Sequence, residues 1–496
     1  MAVLGKINHL FKEFVYNISI KNNLPESIAR EAGGKVFSFG SYRLGVHGKG
    51  SDIDTLCVAP KHVKREQFFT EMLDILKAQT EVTEISAVAD AYVPVIKFVF
   101  SGIPIDLVFA QLSLPSVPDK LELLDNSLLR NLDERCVRSL NGSRVTDEML
   151  RLVPNVAAFR IALRCIKYWA KKRAIYANVF GFFGGVAWAI AVARVCQLYP
   201  NASAASIVSK FFRIMQQWNW PQPVLLKPIE DSNLGLRIWS PSTYAQDRGH
   251  RMPIITPAYP SMCATHNVTS STQQVKLREF ERAANLTDRI MIGAASWPEL
   301  FEKHDFFSRY KYYLQVIASS STAESQLSWS GMVESRLRQL VMKLEVNNDI
   351  EIAHPFIKGY DSVVECETEE EKHDAAHGIF AKAKKTENNE DAEEKKNEAN
   401  IKHTESSENG TTNGETNGKE SDAVNEEETN TKIYITCLYI GLFIKPKDNT
   451  GGSRKLDISW PIQEFIKLVK SWDKYDDTCM AIVVRHIKRY FTSLLF

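Results

Sequence analysis

Between Phe39 and Asp54 the chain reads Phe-Gly-Ser-Tyr-Arg-Leu-Gly-Val-His-Gly-Lys-Gly-Ser-Asp-Ile-Asp, and no other stretch narrows its possible folds as far. A Gly-Ser turn able to meet phosphate, Gly40-Ser41, runs at short range into Asp52 and Asp54. One residue apart, the two carboxylates share one face of a strand. Carboxylates held side by side repel, and a hard divalent cation with oxygen ligands relieves the repulsion. Magnesium typically takes one or two carboxylates together with substrate phosphates. Two such ions, about 4 Å apart, can stabilise the attacking and leaving oxygens of an in-line displacement. That chemistry asks for a third carboxylate on a neighbouring strand.

Downstream, the β-branched, apolar runs Val93 to Phe100 and Ile105 to Ala110 are joined by Ser101-Gly102-Ile103-Pro104, the pattern of a hairpin. Asp106 is the only charge in the second run, and a lone Asp in an apolar strand is costly unless something pairs with it. It is the candidate third ligand. Asp-x-Asp taken alone is common in solvated turns; the Gly-Ser turn before it and Asp106 after it favour a metal site.

Taken together, these residues are similar to the nucleotidyltransferase fold shared with DNA polymerase beta. More narrowly, Phe39 to Asp54, Ile105 to Ala110, Arg138 to Glu148, Ile166 to Lys172 and Met252 to Pro260, in that order, resemble the eukaryotic nuclear-type poly(A) polymerases. The resemblance spans nearly the whole chain apart from one low-complexity stretch. It implies a multidomain chain of α/β and α+β units: a polymerase-beta-like nucleotidyltransferase domain, a mainly helical central domain and a C-terminal RRM-like α+β RNA-binding domain. It also implies addition of AMP from ATP to RNA 3′ ends with release of pyrophosphate. Asp52, Asp54 and Asp106 would hold two Mg2+ or Mn2+ ions, with Asp106 on the primer side.

The resemblance further implies a set of nucleotide contacts, each of which has a plainer reading from the residues alone. Gly40 lets backbone approach phosphate, and Ser41 offers an amide and a hydroxyl; Phe39 beside them either stacks or packs. Lys167 and Lys171 lie one helical turn apart and share a face, which also describes an ordinary solvated surface. In the family Lys167 reaches the triphosphate and Tyr176 lies nearby. Gly185-Val186 would bring a helix N terminus against the nucleotide. Asn141 and Thr256 match the family's adenine-selecting Asn and Thr, although an Asn before Gly142 is also a common turn residue. Where the family usually carries Thr, position 48 is Gly, which implies one nucleotide contact fewer. The chain starts close to the first motif, without the N-terminal segment of relatives, and ends near the third domain.

With 496 residues, 44% of them hydrophobic, the chain calls for several domains. A net charge of +1 leaves no global basic footprint, so contact with RNA must come from a local patch. Arg485, Lys488 and Arg489, beside Tyr490-Phe491, are the candidate; a solvated C-terminal strand is the alternative. The eight cysteines are dispersed, without zinc-ligand spacing, and read as reduced thiols of an intracellular protein. The longest apolar stretch, Val179 to Ala193, falls short of the roughly 20 residues that span a bilayer, so no membrane partner is expected. The family implies cleavage and polyadenylation factors as partners, a monomeric catalytic subunit, and the nucleus, with the cytoplasm as the other compartment.

Along the chain, an amphipathic helix opens at Leu4, and a mixed sheet carrying the three aspartates closes near Leu112. Residues 1–112 thus read as the nucleotidyltransferase domain. Residues 113–298 show helical periodicity over Asp147 to Val153, Phe159 to Arg173, Gly184 to Leu198, Ala205 to Trp218 and Gln273 to Ile292. Residues 299–496 read as the RNA-binding domain, with a helix from Glu324 to Leu344 and a later one from Pro461 to Trp472. Strands are expected near Ile350 to Pro355 and at Lys432 to Lys445, Leu456 to Trp460 and Ala481 to His486. Residues 367–430, dominated by Glu, Lys, Asn, Thr and Gly, read as a disordered low-complexity insert. On the same core, a terminal uridylyltransferase, an oligoadenylate synthetase and a catalytically inactive RNA-binding relative are the competing readings.

Overall fold

The computed structural model describes residues 2–379, 385–386, 431–446 and 456–489. The chain forms two compact units that divide between His304 and Asp305. The first is built on a five-stranded sheet ordered β1-β2-β5-β4-β3, with β1 at Lys35–Ser38, β2 at Ile53–Ala59, β3 at Val82–Val88, β4 at Val95–Phe100 and β5 at Ile103–Gln111. Strands β2 and β5 run parallel and every other pair is antiparallel, which makes the sheet mixed as expected. Ser101 and Gly102, both at positive φ, make the tight turn between β4 and β5.

Side-chain alternation decides which face the aspartates occupy. Ile53, Cys57 and Ala59 of β2 pack with the Ala2–Lys21 helix through Ile7, Phe11, Phe14 and Ile18. Leu56 and Val58 join Val108 and Ala110 of β5 on the other face, against Cys136 and Leu140 of the Glu134–Leu152 helix. Asp54 and Asp106 share parity with this second set and lie where its apolar cover stops. The Glu134–Leu152 helix, whose last turns were expected to open the helical region, begins earlier and packs on β2, β5 and the short Gly40–Leu44 helix.

Beyond it, the Val156–Lys172, Gly185–Leu198, Ala204–Gln217 and Ser270–Met291 helices pack around one aromatic cluster. Trp169, Trp188, Phe211, Phe212 and Phe280 are all fully buried there, and Trp169 and Trp188 meet edge to face with centroids 5.9 Å apart. Those two tryptophans are core residues. Near the end of the unit, Arg173 and Glu279 form a buried ion pair at 2.8 Å, and Arg173 also donates to the carbonyls of Glu302 and Lys303.

The second unit is an antiparallel six-stranded sheet ordered β11-β6-β10-β8-β9, with β7 also on β10. Strand β6 spans Tyr312–Ser320, β7 Ile350–Pro355, β8 Tyr360–Cys366, β9 Lys385–Thr386, β10 Thr431–Ile444 and β11 Met480–Lys488. The Ala323–Glu345 helix covers β6, β7 and β10 with Trp329, Val333, Leu337, Leu340, Val341 and Leu344, all fully buried at helical spacing. The Ser459–Lys470 helix packs beside it.

Two expectations fail in this unit. Leu456 to Trp460 is not a strand: Asp457 Oδ1 accepts the Ser459 amide at 2.9 Å, and Ser459 and Trp460 open a helix with Pro461 in its first turn. Proline fits there because first-turn amides have no partner inside the helix anyway. The insert expected over residues 367–430 contains an ordered start. Thr368 caps the Glu369–Ala376 helix by accepting the Glu371 amide, three glutamates sit favourably in its first turn, and Ala375 is buried. Residues 380–384 and 387–430, together with Tyr490 and Phe491, lie outside the described residues. Among the described residues no helix is long and apolar enough to cross a membrane, and all eight cysteines are free thiols.

Candidate active site

Parallel pairing of β2 with β5 sets Asp54 directly opposite Asp106, and Asp52 lies just ahead of β2. One carboxylate oxygen from each of the three lies within 4.8 Å of the others. Three hard oxygen donors at this spacing suit a divalent cation of the magnesium type. Burial first, then the charges of Asp52 and Asp106, push the Asp54 carboxyl up to about 6.

Lys97 was missed in the sequence reading. On β4 it stands opposite Asp106, and its Nζ donates to Asp106 Oδ2 at 2.6 Å. The signal was available, because a turn centred on Ser101-Gly102 fixes the hairpin register and puts residue 97 across from residue 106. Lys97 is the partner that a lone, partly buried Asp106 in an apolar strand calls for.

The Gly-Ser turn is built against these carboxylates. Phe39 is extended and donates its amide to Asp54 O at 3.0 Å, tying the turn to β2. Gly40 follows at φ 62°, and a Cβ there would collide with Asp54 Oδ2, so glycine is demanded by the aspartate beside it as much as by any ligand. The Gly40 amide donates to Thr146 Oγ1 at 3.2 Å, while that hydroxyl donates to Gly142 O at 2.8 Å. The Ser41 hydroxyl has no protein partner among the described residues. Phe39 packs: its ring would meet a Cβ at Gly142 at 2.8 Å, which explains a glycine in the middle of the Glu134–Leu152 helix.

The loop after this turn is held by one basic stripe. Arg160 donates to Leu44 O at 2.8 Å, Arg164 to Gly45 O at 2.5 Å and Lys167 to Val46 O at 3.2 Å. Arg160, Arg164, Lys167 and Lys171 recur at helical spacing on the Val156–Lys172 helix, a pattern that could have exposed the two arginines from sequence. Burial, and then the neighbouring Lys171, lower the Lys167 pKa, while Asp54 opposes them; Lys167 therefore lies within the field of Asp54. Lys171 Nζ sits 5.6 Å from the centre of the Tyr176 ring. The Tyr176 hydroxyl in turn lies 2.8 Å from where a Gly185 Cβ would stand. Gly185 and Val186 open a 14-residue helix whose N-cap, Gly184, provides no side-chain cap.

The remaining predicted residues divide. Asn141 is mid-helix rather than in a turn, and its Oδ1 is buried without a hydrogen-bond partner. Thr256 is buried and accepts the Met262 amide at 2.9 Å, and among the described residues no contact ties it to the aspartates. The three basic residues at the C-terminal end do not form one patch. Arg485 is committed to Gln315 Oε1 at 2.7 Å and to Gly378 O at 2.9 Å. Lys488 is exposed on the opposite face of β11, and Arg489 donates to Ser308 O at 3.2 Å.

Compared with known proteins, residues 1–153 match the poly(A) polymerase nucleotidyltransferase domain, residues 158–303 the poly(A) polymerase central domain and residues 305–492 the poly(A) polymerase predicted RNA binding domain. The chain is 54% identical over 490 residues to poly(A) polymerase pla1 of Schizosaccharomyces pombe, covering 98% of this chain and 84% of that protein. It is 50% identical over 494 residues to poly(A) polymerase PAPa of Candida albicans, covering 99% and 84%. A crystal structure of the Cid1 poly(U) polymerase is similar at 16% identity and a TM-score of 0.41, covering 61% of this chain and 91% of that one; a likeness so distant bears on no question of substrate.

Proposed function

The chain belongs to the poly(A) polymerase family, and on that premise we propose that it transfers AMP from ATP to the 3′ end of RNA at the cluster of Asp52, Asp54 and Asp106. The observation that carries the assignment is the convergence of three carboxylates on one end of β2 and β5. Asp52, Asp54 and Asp106 are the residues that would hold Mg2+ or Mn2+. When bound, these ions supply positive charge that acidifies the RNA 3′-hydroxyl and neutralises the triphosphate.

The 3′-hydroxyl loses its proton to solvent and its oxygen attacks the α-phosphorus of ATP; the bond from that phosphorus to the α,β-bridging oxygen breaks, and pyrophosphate leaves with the electron pair. The protein's own groups bind and orient. Lys167, in the field of Asp54, and Lys171 supply point charges for the triphosphate. The uncapped amides at Gly185 and Val186 favour an anion, and Tyr176 stands beside them. Asn141, with an unsatisfied buried Oδ1, is the group in hand for an adenine edge; Thr256 acts, in this reading, by shaping the loop it pins. Lys488 is the exposed cation of β11 left for RNA phosphate. Recruitment by cleavage and polyadenylation factors, a monomeric catalytic subunit and work in the nucleus complete the proposal, and rest on family membership alone.

Primer extension on a short oligo(A) RNA, with ATP, UTP, CTP and GTP in separate reactions, tests the substrate. A ladder with ATP and at most isolated additions with the others is expected. Preferential extension with UTP would move the chain to uridylyl transfer, and no extension from folded protein would move it to an inactive relative.

A further inference from the structure

Residues 173–184 connect the Val156–Lys172 and Gly185–Leu198 helices, and their second part, the loop 177–184, has Tyr176 at one end and Gly185 at the other. The loop folds on itself, Gly181 donating to Asn178 O at 3.0 Å and Phe182 to Ala177 O at 3.1 Å. It is pressed against the segment that leads into the Ser270–Met291 helix. Gly181 is at φ 89°, and a Cβ there would meet Asn267 O at 2.8 Å and Thr272 Oγ1 at 3.1 Å. Asn267 Nδ2 donates to Asn178 O at 3.1 Å.

Into this loop the Ser270–Met291 helix sends Lys276, whose side chain has no solvent exposure. Its Nζ donates to Gly181 O at 3.0 Å and lies 4.5 Å from the centre of the Phe183 ring and 5.7 Å from that of Phe182. No carboxylate pairs with it among the described residues, and burial pushes its pKa well below the usual lysine value. A lysine buried without an acid is a poor way to fill a core; a leucine or methionine would do so at lower cost. What the lysine adds is a fixed donor on one backbone carbonyl, three residues before the helix N-cap.

We propose that Lys276 is a positioning residue for ATP, holding the 177–184 loop so that the Tyr176 hydroxyl and the first amides of the Gly185–Leu198 helix face the nucleotide together. The inference rests on the assignment of those groups to ATP. The close approach of the Tyr176 hydroxyl to Gly185 is the geometry at stake, since any slip of the loop opens it. Lys276 touches neither substrate nor reacting atoms in this account; it acts through Gly181.

The experiment compares Lys276→Met and Lys276→Gln with wild-type protein by three measurements: melting temperature, oligo(A) affinity, and affinity for a non-reactive ATP analogue with magnesium. Expected is a variant that keeps its melting temperature and oligo(A) affinity while its dissociation constant for the ATP analogue rises about tenfold, with KM for ATP following and kcat little changed. A folded variant that binds the analogue within about twofold of wild type overturns the inference. So does simultaneous loss of melting temperature, RNA binding and ATP binding in both variants, which would make Lys276 a general core residue. Failure of wild-type protein to bind the analogue would instead remove the nucleotide assignment on which the inference rests.

Discussion

Asp54→Asn is expected to lose AMP transfer by roughly 1000-fold or more while making the metal-free protein more stable at neutral pH. The loss follows from removing one donor of a cluster whose bound ions would supply several kcal/mol of charge stabilisation, at about 1.4 kcal/mol per factor of ten. The gain follows from the electrostatics. In the folded protein the Asp54 carboxyl titrates at about 6, against an ordinary value of 3.8. Between those values the folded protein holds a proton that the unfolded chain has released, so stability falls as pH rises from roughly 4 to roughly 6 and stays lower above. A shift of about two units corresponds to up to about 3 kcal/mol. Asparagine keeps the shape and lacks the charge, so thermal melts of the variant should show a flatter profile across that window. Saturating divalent metal should flatten the wild-type profile in the same way. A variant that is inactive but no more stable at pH 7 would mean that neither burial nor the neighbouring carboxylates raise the cost of an ionised Asp54.

Gly40→Ala is expected to cut activity by about 100-fold or more while leaving the fold in place. At φ 62° an alanine pays a left-handed penalty of about 1–2 kcal/mol. The larger effect is positional, because the new methyl group occupies the space of Asp54 Oδ2 and one of the two must move. Displacing a reacting group by about 1 Å can cost about 100-fold in rate. Gly48→Ala is the matched control: position 48 is exposed, and a Cβ there meets only Ser51 Oγ, at 3.5 Å. Steady-state rates on oligo(A) should separate the two, and equal rates would show that the Gly-Ser turn tolerates a shift of the carboxylate.

The aspartates were legible because their chemistry is carried by local patterns: a turn, a one-residue spacing and a lone charge in an apolar strand. Four of the five long helices between Glu134 and Met291, the last turns of the Glu134–Leu152 helix and the strand at Ile350–Pro355 were legible for the same reason, since periodicity is local. What was hidden depends on partners far along the chain. Thr146 meets the Gly40 amide across 106 residues, and Arg160 reaches Leu44 O across 116. Asn141-Gly142 looks like a turn by propensity, yet it lies within a helix that packs on the sheet through Cys136 and Leu140, with the Phe39 ring filling the space beside Gly142. Arg485 looks like a surface cation by composition, but β11 places it opposite Gln315, where its guanidinium is engaged by Gln315 and by Gly378, just past the Glu369–Ala376 helix. In each case tertiary packing overrides what the residue would do alone.

The measurement that bears most directly on the Asp52, Asp54 and Asp106 cluster is the number of Mn2+ ions bound per chain in the presence of a non-reactive ATP analogue, followed by electron paramagnetic resonance in wild-type protein and in Asp106→Ala. Two ions in the wild type and at most one in the variant is the predicted result. Two ions bound with equal affinity in both would contradict the account, because Asp106 would then be an ion-pair partner of Lys97 and no part of a metal site.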